Sequence, residues 1–104
     1  MIEVNENKYY KNGFINEYDH NHKLLFEGDY LNDKRNGKGK EYYNDKLEFE
    51  GEYLNGERNG KGKEYNDSKL IFEGEYLSGK KWNGKGYDMI WIIILYMNWI
   101  KEKE

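Results

Sequence analysis

Between Lys46 and Leu54 the chain alternates strictly, with Leu47, Phe49, Gly51 and Tyr53 on one phase and Glu48, Glu50 and Glu52 on the other. A period of two predicts a β-strand with one apolar, ring-bearing face and one acidic, wet face. The stretch that follows, Asn55-Gly56-Glu57-Arg58-Asn59-Gly60, carries two Asn-Gly pairs, which tolerate positive φ cheaply and predict a turn. Gly60-Lys61-Gly62-Lys63 then alternates glycine with lysine and predicts a second strand, so Lys46 to Ser68 reads as one β-hairpin. Nearly the same text stands on either side of it. Lys23, Lys46 and Lys69 each open KL-x-F-E-G-[DE]-YL, a spacing of 23 residues both times. Such a fixed period predicts a repeat array, in which each unit needs its neighbours to bury its apolar face.

Pairing the two strands by charge puts the lysines opposite the glutamates and separates the acidic rows of successive units. In that register the glycines fall opposite Phe49 and Tyr53, where bare backbone leaves room for flat rings to lie across the sheet. Glu64 and Tyr65 then land on faces that their chemistry would not choose. The ladder of Phe and Tyr reads first as packing, with a ligand-stacking surface as the alternative.

The periodicity divides the chain into a worn N-terminal half-unit (1–22), three hairpin units (23–45, 46–68, 69–88) and a divergent hydrophobic tail (89–104). In the half-unit, Asn12-Gly13 and Glu17-Tyr18 fall 24 residues before Asn36-Gly37 and Glu41-Tyr42, so it supplies a leading strand. The third unit departs from the pattern where Lys80-Lys81-Trp82 inserts one residue before Asn83-Gly84.

The tail, MIWIIILYMNWI from Met89 to Ile100, is too short to cross a bilayer as a helix, which takes roughly 20 residues. Its Trp, Ile and Tyr suit a buried terminal strand, or a membrane-dipping or aggregating segment. The genetic code supplies a third reading. Met97-Asn98-Trp99-Ile100 read two nucleotides later gives E-L-D under any synonymous codons, and A/T-rich codons turn the whole tail into repeat-like text. The tail is then frame-shifted repeat, and the chain a truncated remnant of a longer array. The gene sequence across Asp88 decides this.

Composition narrows the classes. The chain has 104 residues, which bounds it to one domain or part of one. With 36% charged residues and a mean hydropathy of −1.20 it resembles a disordered chain, but 17% aromatics argue for a fold. There is no Cys, hence no disulfide framework and no thiolate metal site. Net charge is −3 with both signs interspersed, so no basic footprint points to nucleic acid. No apolar stretch follows Met1, which argues against a secretory signal.

Three local patterns mimic chemistry. His20 and His22 could begin a metal site, but with no third ligand in view they read as a solvated turn. Gly79-x-x-x-x-Gly84-Lys85 resembles a phosphate-binding loop, yet Gly86 stands where Ser or Thr is required and no helix is expected after it. Asn66-Asp67-Ser68 fits a glycosylation acceptor and reads as a turn. No acid, base or nucleophile converges, so no enzyme, metal or cofactor is expected.

The rhythm resembles the MORN repeat family, including its variant form. The matching residues are Phe26-Glu27-Gly28-Asp29-Tyr30 with Asn36-Gly37-Lys38-Gly39 in the first unit. Phe49, Gly51 and Tyr53 with Gly60 and Gly62 match in the second, and Phe72, Gly74 and Tyr76 with Gly84 and Gly86 in the third. The resemblance implies an all-β fold of tandem hairpins, an elongated, twisted, single-layer antiparallel meander in which these residues are structural. Members of the family act as non-catalytic scaffolds and interaction modules, often near membranes or the cytoskeleton, and some are appended to enzymes including lipid kinases. Bacterial variant repeats are associated with antitoxin-like proteins. No enzyme domain accompanies the repeats here, so catalytic roles do not carry over.

Two functional expectations follow. The leading one is a cytoplasmic protein-interaction scaffold, at the membrane or cytoskeleton periphery, with a protein partner of unknown identity. The alternative is weak anionic-lipid or phosphoinositide contact through Lys38, Lys40, Lys61, Lys63 and Lys85. Against it, 13 Lys plus Arg face 14 Asp plus Glu between Lys23 and Asp88, which cancels most of the roughly 1 kcal/mol per basic residue that a polybasic segment gains near anionic lipid. Open sheet edges also predict self-association.

Overall fold

The computed structural model of the chain describes residues 10–86 and 89–103, with helix side chains from 96 onward. The beginning of the half-unit (1–9) and the last two residues of the third unit (87–88) lie outside the described residues. The elements are β1 (Gly13–Tyr18), β2 (Leu24–Leu31), β3 (Lys34–Tyr43), β4 (Lys46–Leu54), β5 (Glu57–Asn66), β6 (Lys69–Leu77), β7 (Lys80–Gly86) and α1 (Met89–Lys103). All seven strands form one open antiparallel sheet in chain order. The fold is a single-layer β-meander.

The hairpin turns are tighter than the sequence suggests. Only Asn55-Gly56 turns the chain between β4 and β5, with φ of 49° and 89°. Asn32-Asp33, Asn44-Asp45, Asp67-Ser68 and Ser78-Gly79 repeat these left-handed pairs, the geometry whose twist matches that of the flanking strands. The second Asn-Gly pair, Asn59-Gly60, lies inside β5 rather than in the turn. It forms a bulge: Gly51 pairs with Gly62 and Tyr53 with Arg58, which leaves three residues opposite Glu52. Gly60 takes φ +100° there, and Glu52 accepts a bond from the Lys61 amide at 3.4 Å.

The bulge corrects the expected register in one respect. Lysines do face glutamates, as in Glu50 with Lys63 and Lys38 with Glu52. Within each of the first two hairpins, however, glycine faces glycine (Gly28 with Gly39, Gly51 with Gly62), not the rings. The Phe49 ring reaches diagonally over its glycine pair, so close that a Cβ on Gly62 would sit 2.6 Å from the ring and 2.9 Å from the Tyr76 ring. The glycines are still a floor for the rings, reached along the strand rather than across it.

The core is one residue thick. Phe26, Phe49, Tyr53, Phe72 and Tyr76 are buried, with Tyr30 packed beside them. Their rings form an edge-to-face zigzag, Tyr30–Phe26–Tyr53–Phe49–Tyr76–Phe72, with centroids 5.2–6.1 Å apart. Edge-to-face pairs of this kind are each worth about 0.5–1.5 kcal/mol beyond their buried area. Links within a unit alternate with links between units, so the column is the seam of the array.

Units are also joined at the turns. Asn36 and Asn59 accept the Asn55 and Ser78 amides at 3.2 and 3.1 Å, and the Arg35 and Arg58 carbonyls accept the Gly56 and Gly79 amides at 2.8 Å. Each bulge thus holds the turn of the following unit.

In the third unit the bulge is one residue shorter, with only Trp82 and Asn83 between Lys81, opposite Tyr76, and Gly84. Gly84 pairs with Gly74, Lys85 with Glu73 and Gly86 with Phe72. Gly84 therefore takes the place of Gly62, and Gly86 that of Glu64, a shift of two positions from the motif alignment. The tail is helical, not a terminal strand. Its β-branched and aromatic residues favour strands, but a helix satisfies its backbone internally and needs no neighbour beyond β7. Along α1, Tyr96 stacks on Trp99 at 6.1 Å and the Lys103 ammonium lies 4.7 Å from the Trp99 ring. Among the described residues no helix is long and apolar enough to cross a membrane.

The glycine floor makes a direct prediction. Gly62→Ala forces the Phe49 and Tyr76 rings to move and should destabilise the fold by about 1–3 kcal/mol, read as a lower urea midpoint at unchanged slope.

Candidate functional site

The two faces of the sheet do different work. On the ring face, Glu17, Glu41 and Glu64 stand opposite Phe26, Phe49 and Phe72 across the unit boundaries. Glu64 is therefore on the face where the charge-matched register left it, against the preference of an isolated carboxylate, and the contacts below explain why it is tolerated there. Glu17 accepts from the Tyr30 hydroxyl at 2.6 Å and from Arg35 at 2.9 and 3.1 Å. Glu41 repeats the arrangement with Tyr53 and with Arg58 at 2.8 Å. Glu64 does so with Tyr76 and, at 3.2 Å, with the Lys81 ammonium. Each cation also covers a ring: Arg35 lies 4.1 Å from the Phe26 centroid, Arg58 4.0 Å from Phe49 and Lys81 4.8 Å from Phe72.

These contacts move proton affinities. Burial works to raise the Glu41 carboxyl, but hydrogen bonds from Arg58 and Tyr53 and the Arg58 charge outweigh it and hold it below the ordinary carboxylate value. Glu17 is lowered by the same balance with Arg35 and Tyr30. Burial and the Glu41 bond push the Tyr53 hydroxyl well above the ordinary phenol. Every carboxylate on this face is engaged, and the face reads as structure.

The opposite face carries the candidate site. A groove of about 850 Å³ runs across the strands, with the backbone of Gly28, Gly39, Gly51, Gly62 and Gly74 along it and Phe14 at one end. Its charged lining comes in stripes: Lys38 and Lys40 from β3, Glu50 and Glu52 from β4, Lys61 and Lys63 from β5, Glu73 and Glu75 from β6. Register explains the stripes. Glu27, Lys40, Glu50, Lys63, Glu73 and Lys85 stand opposite one another in a continuous row from β2 to β7. Sign therefore inverts at every strand, roughly every 4.8 Å.

The five lysines singled out by the sequence lie on this face, four of them lining the groove and Lys85 continuing the row beyond it. All are exposed. Among the described residues none of the five takes part in an ion pair within 4.0 Å. They are neighbours of the glutamates without being locked to them. Glu27 and Glu50 instead accept from the Tyr42 and Tyr65 hydroxyls at 2.6 and 2.7 Å. Burial first and then the Glu27 bond push Tyr42 up to about 12, and the Glu50 bond with burial does the same for Tyr65. The recurring Glu-Tyr dipeptide, one residue on each face, was the signal for both sets of contacts.

The signature residues separate by role. Phe26, Phe49, Phe72, Tyr30, Tyr53 and Tyr76 form the ring column, while Gly37 and Gly60 take positive φ at bulges. The phosphate-loop likeness fails on geometry. A helix does begin at Met89, contrary to expectation, but Gly79 lies in a turn and Gly84 and Lys85 in the extended strand β7. His20 and His22 sit at the β1–β2 connection, where Asp19 binds the Asn21 and Lys23 amides. Among the described residues no group of three or more His, Cys, Asp or Glu could hold a metal.

The family model for the MORN repeat matches residues 26–47 and 49–68, taking in most of the β2–β3 and β4–β5 hairpins. No curated protein matches the chain.

Both pH limbs are predicted. The lowered Glu17 and Glu41 contribute stability that is complete above the unfolded carboxylate value, about 4.3, and is lost as pH falls through their folded values. The raised Tyr42 and Tyr65 contribute stability that is complete below about 10 and lost as pH rises toward about 12. Tm measured against pH should fall on both sides, with Glu41→Gln flattening the acid limb and Tyr42→Phe with Tyr65→Phe the alkaline one.

Proposed function

We propose that this chain is a non-catalytic MORN-type repeat module that binds a protein partner, with the β6–β7 hairpin as its third copy. The observation that carries this reading is the continuous groove on the charged face, built by the same strand positions in successive units. The matched spans at 26–47 and 49–68 support it. So does the division of labour between faces: the ring face is closed by its own ion pairs, while the groove presents lysines without ion-pair partners. A scaffold at the membrane or cytoskeleton periphery of the cytoplasm fits such a module.

The exposed lysines favour a second reading, contact with anionic lipid. The interleaved Glu50, Glu52, Glu73 and Glu75 weigh against it, because a surface of uniform negative charge meets a repelling stripe at every second strand.

Affinity capture and vesicle flotation discriminate. The Lys61→Glu, Lys63→Glu double variant reverses one stripe while leaving the ring face and turns untouched. Proteins captured from lysate by the wild-type chain and lost with the variant, at unchanged far-ultraviolet dichroism, are the expected result. Flotation of wild type with phosphatidylserine vesicles, abolished by the same variant, would overturn the protein-partner reading in favour of lipid.

A further inference from the structure

We infer that the groove docks an α-helix whose exposed face alternates acidic and basic residues every three or four positions. This rests on the interaction-module reading and deepens it by naming the shape and charge order of the partner. The argument is one of spacing. From β3 to β6 the lining reads Lys, Glu, Lys, Glu, one sign per strand. The three inter-strand steps cover roughly 14 Å.

A ligand lying along the groove must invert its charge at that same interval to avoid meeting like charge. In an α-helix, residues at i, i+3, i+7 and i+10 lie close to one face and advance about 15 Å. The helix therefore stays in phase across all four stripes. An extended strand fails this test. Its same-face residues are about 6.7 Å apart, so three steps cover about 20 Å and slip by a whole strand. A polyproline helix returns to one face every 9.3 Å or so, which reaches alternate stripes only and leaves the others unmatched. An anionic ligand, whether nucleic acid or polyphosphate, meets Glu50 with Glu52 or Glu73 with Glu75 as it crosses these strands, and a polycation meets the lysines of β3 and β5.

The placement of charges also favours a helix. Each strand contributes two like residues, two positions apart, that straddle a glycine: Lys38 and Lys40 about Gly39, Lys61 and Lys63 about Gly62. A carboxylate hanging from a helix in the groove is thus approached by ammonium groups from both walls. Exposed lysines reach it without first breaking an ion pair. The groove is polar in direction as well. On β1, Phe14 and Asn16 occupy the positions that Lys38 and Lys40 hold on β3. The alternation stops there, and exposed Phe14 offers an apolar contact to one end of the helix.

The test uses synthetic peptides on the full chain. The first is an alanine-rich helix of about 16 residues bearing E-x-x-K-x-x-x-E-x-x-K with a terminal fluorophore. The second has identical composition with its two Glu and two Lys segregated into halves. The third keeps the alternation but has proline at its centre. Fluorescence anisotropy should show the alternating helix binding at least roughly tenfold more tightly than either control, with loss on Lys61→Glu, Lys63→Glu and weakening by salt. Equal binding of the segregated peptide overturns the charge order, and equal binding of the proline peptide overturns the helix. Failure of every peptide, while the double variant still abolishes capture of proteins from lysate, overturns the helix inference and leaves the module reading standing. Failure of both overturns both.

Discussion

A sheet one layer thick has no second layer to cover its apolar face, and this protein solves that problem with guanidinium groups. The guanidinium carbons of Arg35 and Arg58 sit 4.1 and 4.0 Å from the ring centres of Phe26 and Phe49, which are fully buried although, among the described residues, no second layer packs above them. A cation over a ring is worth about 0.5–2 kcal/mol depending on desolvation, and here it acts chiefly as a lid. A charge in that position would be costly unpaired. The glutamate of the preceding second strand supplies the pair, and the tyrosine hydroxyl donates to the same carboxylate oxygen. Glu, Tyr, Arg and Phe come from adjoining units, so the lid closes only when the units are stacked.

From that constraint the rest of the geometry follows. The rings press so close to the backbone beneath them that a Cβ there would collide, and glycine is placed there despite its cost within a strand. The bulges that bring Arg opposite Tyr consume an extra pair of residues in β3 and in β5, and their asparagines hold the next turn in place. With the ring face fully occupied by its own sealing, the other face is left to interact with solvent and partners. The groove is the reverse side of a structural necessity.

How much of this was legible in the sequence can be traced residue by residue. The strand alternation and the unit length rest on periods that survive any choice of register, and charge alone selected the lysine-to-glutamate pairing. The glycine-to-glycine pairing was hidden because Asn59-Gly60 is as good a turn as Asn55-Gly56 on local chemistry, and only long-range pairing decides which one bends the chain. Glu64 and Tyr65 do lie on the faces that the charge-matched register gave them, and what the sequence did not show was the partners, Tyr76 and Glu50, that make those faces suitable. The tail was ambiguous on propensity, and Trp82 obscured how the last hairpin keeps its glycine opposite Gly74. The lysines were visible by identity, whereas their lack of ion pairs needed coordinates.

The bulge that joins each unit to the next has a further consequence, concerning measurement. Each unit advances the sheet by two strands, roughly 9.6 Å, and lays down one positive and one negative graduation. Because the same contacts join every unit to its successor, the error in that advance does not depend on where along the array it is counted. Such a sheet behaves as a ruler. Duplicating 23 residues in frame would lengthen the scale by one division without redrawing any existing mark, so reach could evolve separately from the chemistry that each division reads.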